Sequence, residues 1–177
     1  MNRTSNIILI GPMGAGKTTN GKWLARQLGK KFIDMDAYIE QKTGTSITHI
    51  FELEGELGFR QREASALVEL LDLENQVIAS GGGCILDGHN RELMSQHGLV
   101  VYLSIPPEVQ LQRLLNDKKR PLLQTPDRAQ RLQELAAVRN PLYESCAEIK
   151  LDISRMPMSQ IRPCLLQSII DSNRVAF

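Results

Sequence analysis

The feature that constrains this chain most is the stretch from Gly11 to Thr19, which reads Gly-Pro-Met-Gly-Ala-Gly-Lys-Thr-Thr. It fits the phosphate-binding pattern G-x-x-x-x-G-K-[ST], with Gly11, Gly16, Lys17 and Thr18 at the fixed positions. Glycines at such a turn let backbone N–H groups face inward around phosphate oxygens, and the start of a following helix adds partial positive charge. The stretch therefore predicts a phosphate-binding loop, or P-loop.

The flanking sequence favours this interpretation over a glycine-rich turn that matches the pattern by chance. The apolar run at residues 7–10 predicts a short buried strand directly before the loop. Residues 17–28 carry apolar side chains at helical spacing, and Gly29 is placed to end that helix. A strand, a glycine loop and a helix in this order are the context that the motif requires.

The P-loop predicts ATP and Mg²⁺ as cofactors. We expect Lys17 to reach the β- and γ-phosphates and the Thr18 hydroxyl to ligate Mg²⁺. The remaining contacts to the nucleotide phosphates are expected from the loop and the first turn of the helix, at Gly14, Ala15, Gly16 and Thr19.

The composition predicts one cytoplasmic domain that spans residues 1–177. A chain of 177 residues with 42% hydrophobic and 23% charged residues has the proportions of a soluble globular protein. The net charge of +1 argues against nucleic acid as a partner, and no apolar run approaches the length of a membrane helix or of a signal peptide. Cys84, Cys146 and Cys164 are far apart and odd in number, which is typical of reduced thiols in the cytoplasm.

Short apolar runs alternate with helical segments along the chain. Strands are predicted at residues 7–10, 31–33, 77–79, 99–105 and 149–153. Helices are predicted at residues 17–28, 37–42, 58–71, 90–97, 106–117, 127–139 and 159–172. This alternation predicts an α/β fold, a three-layer sandwich with a central five-stranded parallel sheet of the P-loop nucleotide-binding type.

Single residues set several of the predicted helix boundaries. Ser46 is expected to cap a helical turn, and Gly55 to interrupt the pattern before the helix at 58–71. Asn90 is expected to cap the helix that begins there. The residue before Pro141 is biased out of the helical region, so the preceding helix is expected to end near Arg139.

Three polar or glycine-rich segments follow predicted strands: the P-loop, Asp34 with Asp36, and the run from Gly81 to Gly83. In parallel sheets, ligands bind beyond the carboxyl ends of the strands. We therefore expect these three segments to meet in one crevice.

Asp34 and Asp36 are two residues apart, so in an extended backbone their side chains would point to the same side. One carboxylate could hold Mg²⁺ through water while the other orients a substrate hydroxyl; the alternative is a polar strand end with a helix cap. Phosphoryl transfer at a P-loop needs a carboxylate near the metal, and the strands at 77–79 and 99–105 offer Ser80 and Ser104 instead. This absence favours Asp34 for the metal.

Two isolated arginines are candidates for binding a substrate carboxylate. Arg60 lies near the start of a predicted helix, where the helix dipole disfavours a cation. The alternative for Arg60 is that it pairs with nearby glutamates and binds no ligand. For the neighbouring Arg62, pairing with glutamates is the preferred interpretation. Arg139 lies at the predicted end of its helix, where the helix dipole favours a cation without any ligand. A role in binding a carboxylate and a purely structural role both stay open for Arg139. Gly81 to Gly83 permit a close approach of a ligand to the backbone, or form only a tight turn.

The basic segment at residues 118–126 is a candidate lid. Arg120 could close over the γ-phosphate, as arginine fingers do, and closure would exclude water from the reaction. The alternative is a charged, solvated loop. Arg113, on the helix before this loop, could reach a nucleotide base.

Taken together, these motifs resemble the shikimate kinase family over nearly the whole chain, from the P-loop to about Arg155. Many unrelated proteins share a P-loop, whereas the ordered set of motifs is specific to this family: Gly11–Thr19, Asp34-Met-Asp36, Phe59-Arg60, Gly81-Gly-Gly83, Arg120-Pro-Leu-Leu123 and Arg139-Asn-Pro-Leu-Tyr143. Thr18 stands where relatives commonly have serine, which keeps the hydroxyl.

The resemblance implies transfer of the ATP γ-phosphoryl group to the 3-hydroxyl of shikimate, in chorismate and aromatic amino-acid biosynthesis. It implies a monomer with a substrate-binding region at about 34–62 and a mobile lid at about 116–126. Lys17 and Arg120 would stabilise the transferring phosphoryl group. Thr18, with Asp34 through water, would hold Mg²⁺, and Asp36 would bind shikimate hydroxyls and act as the base.

The resemblance also assigns the remaining contacts of the two substrates. Arg60 and Arg139 would bind the shikimate carboxylate. The backbone of Gly81, Gly82 and Gly83 would contact the ring, chiefly at Gly82. Arg113 and Arg155 would flank adenine.

Two other classes of function stay open at this stage. The first is another small-molecule kinase of the same fold, such as a gluconate or nucleoside-monophosphate kinase. Arg60 and Arg139 outside the P-loop favour a sugar-like acid over a phosphate, because guanidinium groups pair with carboxylates. The second is a nucleotide-dependent switch or a non-catalytic ATP module, against which the presence of Lys17, Asp36 and Arg120 argues.

Overall fold

The structure is a computed structural model that describes residues 5–115, 117 and 121–175. Its strands are β1 (Ile7–Ile10), β2 (Lys31–Asp34), β3 (Gln76–Ala79), β4 (Leu99–Ser104) and β5 (Ile149–Asp152). They form one sheet in the order β2-β3-β1-β4-β5, and every neighbouring pair is parallel. The predicted five-stranded parallel sheet is confirmed.

Helices connect the strands and cover the sheet. They are α1 (Lys17–Leu28), α2 (Met35–Thr43), α3 (Ile47–Leu71), α4 (Gly88–His97), α5 (Pro107–Arg113), α6 (Arg128–Cys146) and α7 (Met158–Asp171), with short 3₁₀ turns at Cys84–Leu86 and Pro121–Leu123. None of the helices in the described part of the chain has the length and apolar character needed to cross a membrane.

The side chains of β1 show why the molecule has three layers. Ile8 and Ile10 are buried in a core with residues of α2, α3, α4 and α6. Ile7 and Leu9, which point to the opposite face, are buried in a second core with residues of α1 and α7. A strand that is apolar on both faces needs helices on both sides, which explains why β1 reads as a continuous apolar run.

The order of the strands positions a crevice at the end of β1. The chain leaves β1 for β2 at one edge, returns to β3 beside β1, and then crosses to β4 on the other side of β1. Ligands bind in parallel sheets where the strand order reverses in this way. The P-loop follows β1 directly, so it lies at this position.

Two predicted helix starts were wrong because aspartates cap the helices earlier. Asp34 accepts hydrogen bonds from the backbone N–H groups of Asp36 (3.1 Å) and Ala37 (3.3 Å), so α2 begins at Met35. Asp36 therefore lies in the first turn of a helix and not in an extended segment. Likewise, α4 begins at Gly88 with Asp87 as its cap, whereas Asn90 lies inside the helix.

The predicted end of α6 near Arg139 was also wrong. The helix continues through Pro141 to Cys146. Tyr143, on this continuation, is 1% exposed, and its ring stacks on Tyr102 of β4 with the centroids 5.0 Å apart. Packing of this kind outweighs the local bias against helix before a proline. Arg139 is consequently in the middle of a helix.

The predicted interruption at Gly55 is confirmed. Gly55 adopts φ 67° and ψ −173°, which no helical residue has, and it divides α3 into two segments. Ser46 caps the first segment by accepting a hydrogen bond from the His49 N–H at 3.2 Å. The second segment carries Arg60 toward the end of β3.

Candidate active site

The backbone of the P-loop depends on its glycines. Gly11, Gly14 and Gly16 have φ values of 138°, 81° and 80°, in the left-handed region that other residues rarely adopt. A Cβ on Gly11 would also lie 2.4 Å from the carbonyl oxygen of Leu103 in β4. The tight packing of the loop against the sheet therefore requires the first glycine of the motif.

Two side chains of the first turn of α1 carry the chemistry predicted for the loop. Lys17 Nζ donates hydrogen bonds to the carbonyl oxygens of Gly11 (2.7 Å) and Pro12 (3.0 Å), so the ammonium lies against the loop backbone. Thr18 Oγ1 donates a hydrogen bond to Asp34 Oδ2 at 2.6 Å. The structure thus brings Thr18 and Asp34 together, while their shared role in holding a metal stays a prediction.

This oxygen pair fits Mg²⁺. The cation prefers oxygen ligands and is usually held by one or two carboxylates together with water and substrate phosphates. A threonine hydroxyl next to a carboxylate, at the end of a P-loop, is such a donor set. We infer that Thr18 and Asp34 would hold the ion and that it would supply positive charge to the phosphates.

Helix α5 supports the P-loop from the other side. Gln110, which is 3% exposed, donates from Nε2 to the carbonyl oxygen of Met13 at 2.9 Å. Arg113 donates from Nη1 to the carbonyl oxygen of Gly14 at 3.1 Å. The structure therefore places Arg113 beside the loop that binds phosphates, while its predicted contact with adenine stays a prediction. No sequence pattern pointed to Gln110, because its role depends on the packing of α5 against the P-loop.

A cavity of about 540 Å³ opens beside the P-loop. This volume is typical of sites for small molecules. All six residues predicted for the acceptor substrate line it, namely Asp36, Arg60, Gly81, Gly82, Gly83 and Arg139. Met13 of the P-loop lines the same cavity, so the two predicted substrate sites adjoin.

Arg60 is held at the wall of this cavity by two carboxylates. Its Nη1 donates to Glu63 Oε2 at 2.6 Å, and its Nη2 donates to Glu56 Oε1 at 2.9 Å. Burial lowers the pKa of Arg60, but the two glutamates outweigh it and raise the pKa overall. A Cβ on Gly83 would lie 2.3 Å from the guanidinium, so Arg60 occupies the space that this glycine leaves.

Glu63 is a residue of the site that the sequence analysis did not select. It is 1% exposed, and burial raises its pKa while Arg60 opposes this. A Cβ on Gly81 would lie 2.0 Å from Glu63 Oε1 and 3.3 Å from Asp36 Oδ1. The available signal was the spacing of three residues between Arg60 and Glu63, which places both on one helix face. The sequence interpretation named pairing with nearby glutamates as an alternative to ligand binding for Arg60, without selecting Glu63.

Arg139 is the second guanidinium of the cavity. It is 5% exposed, and burial lowers its pKa. Its position inside α6 excludes the explanation from the helix dipole, because it is nearly two turns from the helix end. Its guanidinium faces Gly82 and the cavity, and the charges of Glu56 and Glu63 partly oppose the effect of burial on its pKa.

The remaining predicted site residues are Arg120, those of the predicted lid, and Arg155. Arg120 and residues 116, 118 and 119 of the predicted lid lie outside the described residues. The following turn, Pro121–Leu123, buries Leu123 in a small core with Met13 of the P-loop. Arg155 is exposed in the bend after β5, so its predicted contact with adenine stays a prediction.

The P-loop, the adjacent oxygen pair and a cavity with two guanidiniums and a carboxylate define a P-loop kinase of small molecules. Comparison with a distant solved structure supports the fold. A gluconokinase from Sinorhizobium meliloti 1021 has the same fold, with a TM-score of 0.63 at 19% identity over 97% of this chain and 95% of that chain.

More similar proteins identify the family. The family model described as shikimate kinase matches residues 13–170. A shikimate kinase of Acinetobacter baumannii (strain AYE) is 47% identical over 167 residues, which cover 94% of this chain and 93% of the relative. A structure of the shikimate kinase from Acinetobacter baumannii in complex with shikimate has a TM-score of 0.92 at 47% identity, over 98% of this chain and 96% of that chain. The chain belongs to the shikimate kinase family.

Proposed function

We propose that the described cavity binds shikimate and that the P-loop presents MgATP to it. The chain is a shikimate kinase, which transfers the γ-phosphoryl group of ATP to the 3-hydroxyl of shikimate and yields 3-phosphoshikimate and ADP. The observation that carries the site assignment is the cavity itself. It brings together the guanidiniums of Arg60 and Arg139, the carboxylate of Asp36 and the backbone of Gly81 to Gly83 at the edge of the P-loop.

The charges in the cavity match the functional groups of shikimate. Arg60 and Arg139 come from different helices and line the same space, so a single carboxylate could pair with both. The backbone at Gly81 to Gly83 would then approach the ring, chiefly at Gly82, where a Cβ would have no atom within 3.5 Å. The hydroxyls of the substrate would face Asp36.

The residues fit an in-line transfer. Asp36 would accept the proton of the 3-hydroxyl of shikimate while the hydroxyl oxygen bonds to the γ-phosphorus of ATP. The bond from that phosphorus to ADP would break at the same time. Lys17 and Arg120 would stabilise the charge on the transferring group. Mg²⁺, held by Thr18 and Asp34, would supply further positive charge.

We further propose one kinase domain that acts as a monomer, with residues 116–126 as its lid and residues 34–62 in its substrate-binding region. The dependence of the reaction on ATP supports a cytoplasmic location. The rival acceptor substrates are gluconate and nucleoside monophosphates.

The test is the production of ADP from MgATP with shikimate, quinate, gluconate or a nucleoside monophosphate as the acceptor. We expect turnover with shikimate alone, a product phosphorylated at the 3-hydroxyl by ³¹P and ¹H NMR, and loss of turnover when EDTA removes Mg²⁺. Turnover with another acceptor would reject the assignments in the cavity and keep those of the P-loop. ATP binding without any turnover would indicate a non-catalytic module.

Arg139→Gln should raise the KM for shikimate by about tenfold to a hundredfold, because the change removes a charged hydrogen bond to the carboxylate. The KM for ATP should change less than about twofold. Arg62→Gln is the matched control, because Arg62 pairs with Glu54 at the exposed surface. An unchanged KM for shikimate in Arg139→Gln would contradict the carboxylate assignment.

A further inference from the structure

The hydroxyl of Tyr143 contacts two groups that the proposed function assigns to shikimate. It donates a hydrogen bond to the backbone carbonyl oxygen of Gly82, and the guanidinium of Arg139 lies beside the same hydroxyl, where its charge lowers the pKa of Tyr143 against the larger effect of burial. A Cβ on Gly82 would lie 3.6 Å from Tyr143 Oη and 3.7 Å from Arg139 Nη1. One hydroxyl therefore links a loop after β3 to a side chain of α6.

The ring that carries this hydroxyl has a fixed position. Tyr143 is 1% exposed and stacks on Tyr102, with ring centroids 5.0 Å apart and an interplanar angle of 27°. Tyr102 belongs to β4, which pairs with β1 in the centre of the sheet. The sheet therefore fixes the position of the Tyr143 ring and of its hydroxyl relative to the P-loop, which follows β1.

The hydroxyl can serve both partners at once. Burial raises the pKa of Tyr143, so the group keeps its proton at neutral pH and can donate it to the Gly82 carbonyl. Its oxygen can at the same time accept a hydrogen bond from Arg139. Without the hydroxyl, the Gly82 carbonyl would lose its hydrogen-bond donor, and the buried guanidinium of Arg139 would lose a polar neighbour.

We infer that Tyr143 is a positioning residue for shikimate, and that its hydroxyl fixes the Gly82 peptide and the Arg139 guanidinium relative to each other. The inference rests on the proposed function. Holding the Gly82 carbonyl also fixes the N–H of Gly83, because the two groups of a trans peptide point in opposite directions. Tyr143 thereby orients both the backbone and the side chain that would meet the substrate.

Tyr143→Phe tests the inference, because it keeps the ring and removes only the hydroxyl. We expect the KM for shikimate to rise about tenfold, as for the loss of a hydrogen bond to a charged group, while the KM for ATP changes less than about twofold. Tyr102→Phe is the matched control. It alters the other ring of the same stack, whose hydroxyl bonds Asn140 Oδ1 at 3.4 Å, and both KM values should stay unchanged.

A double-mutant cycle with Arg139→Gln shows whether Tyr143 acts through Arg139. We expect the rise in KM from Tyr143→Phe to shrink several-fold in the Arg139→Gln background, whereas independent effects would multiply and contradict the inference. An unchanged KM for shikimate in Tyr143→Phe, equal increases of both KM values, or failure of this variant to fold would each overturn it. Lack of turnover by the wild type with shikimate would instead reject the proposed function.

Discussion

Asp36→Asn is expected to lower kcat with shikimate about a thousandfold, within the range that a positioned general base contributes. Asparagine has nearly the same size but cannot accept the proton of the substrate hydroxyl. Asp36 faces the cavity, where a Cβ on Gly81 would lie 3.3 Å from Asp36 Oδ1. Lys17 bonds the carbonyl oxygens of Gly11 and Pro12, and Thr18 bonds Asp34, and these groups are unchanged in the variant. The Kd for ATP should therefore change less than about twofold.

Glu40→Gln is the control for the loss of a negative charge near the same cavity. Glu40 follows Asp36 by one turn of α2, and its carboxylate accepts a hydrogen bond from the Ile47 N–H at 2.9 Å, which a glutamine oxygen can also do. We expect its kcat to stay within about threefold of the wild type. The measurements are steady-state kinetics and calorimetric titration of ATP. A loss of ATP affinity as large as the loss of kcat in Asp36→Asn would show that Asp36 does not act on the acceptor side.

The fold could be predicted from the sequence because its signals are local. The bounds of β1 and α1 agree with the prediction to the residue, since an apolar run, a glycine loop and the glycine at position 29 mark them directly. The boundaries that were wrong depend on competing caps and on packing. Asp34 starts α2 before Ala37, and the stack of Tyr143 on Tyr102 carries α6 through Pro141.

The site was predictable where a residue type has few other uses. A lysine and a threonine at the end of a glycine loop, or glycines in series after a strand, indicate phosphate or ligand contacts by themselves. Glu63, Gln110 and Tyr143 carry no such signal. Glutamate, glutamine and tyrosine are common in helices, and each of these three matters here because of a group that only the tertiary structure brings within reach.

The wrong prediction for the end of α6 also affected the functional interpretation of Arg139. A helix that ended at this residue would have offered a sufficient explanation in the helix dipole, so the sequence left two interpretations open. The longer helix excludes the explanation from the helix dipole, because Arg139 is not at its end. Arg139 is also buried, with 5% of its surface exposed. The correction to the secondary structure thus strengthens the functional assignment.

Gly81→Ala should destabilise the protein by about 3 kcal/mol, because the new methyl group would compete with a buried ion pair for space. Its Cβ would lie 2.0 Å from Glu63 Oε1. Glu63 is 1% exposed and bonded to Arg60 at 2.6 Å, so the carboxylate cannot turn away without breaking that pair. For a domain of this size, the expected fall in Tm is about 6–12 °C.

Gly82→Ala separates this steric effect from the general loss of a glycine. Neither Gly81 nor Gly82 is among the described residues with positive φ, so backbone strain is not the difference between them. The nearest atoms to a Cβ on Gly82 are 3.6 Å away, which is ordinary van der Waals contact. We expect the Tm of Gly82→Ala to stay within about 3 °C of the wild type, the shift that about 1 kcal/mol produces.

Gly81→Ala should also weaken the binding of shikimate. Displacement of Glu63 in Gly81→Ala releases one of the two carboxylates that hold Arg60, so the KM for shikimate should rise more than about tenfold in protein that remains folded. The KM for ATP should stay nearly constant, because the P-loop is held by contacts with β4 and α5. If Gly81→Ala and Gly82→Ala lowered the Tm equally, the buried pair of Arg60 and Glu63 would not be the structure that Gly81 accommodates.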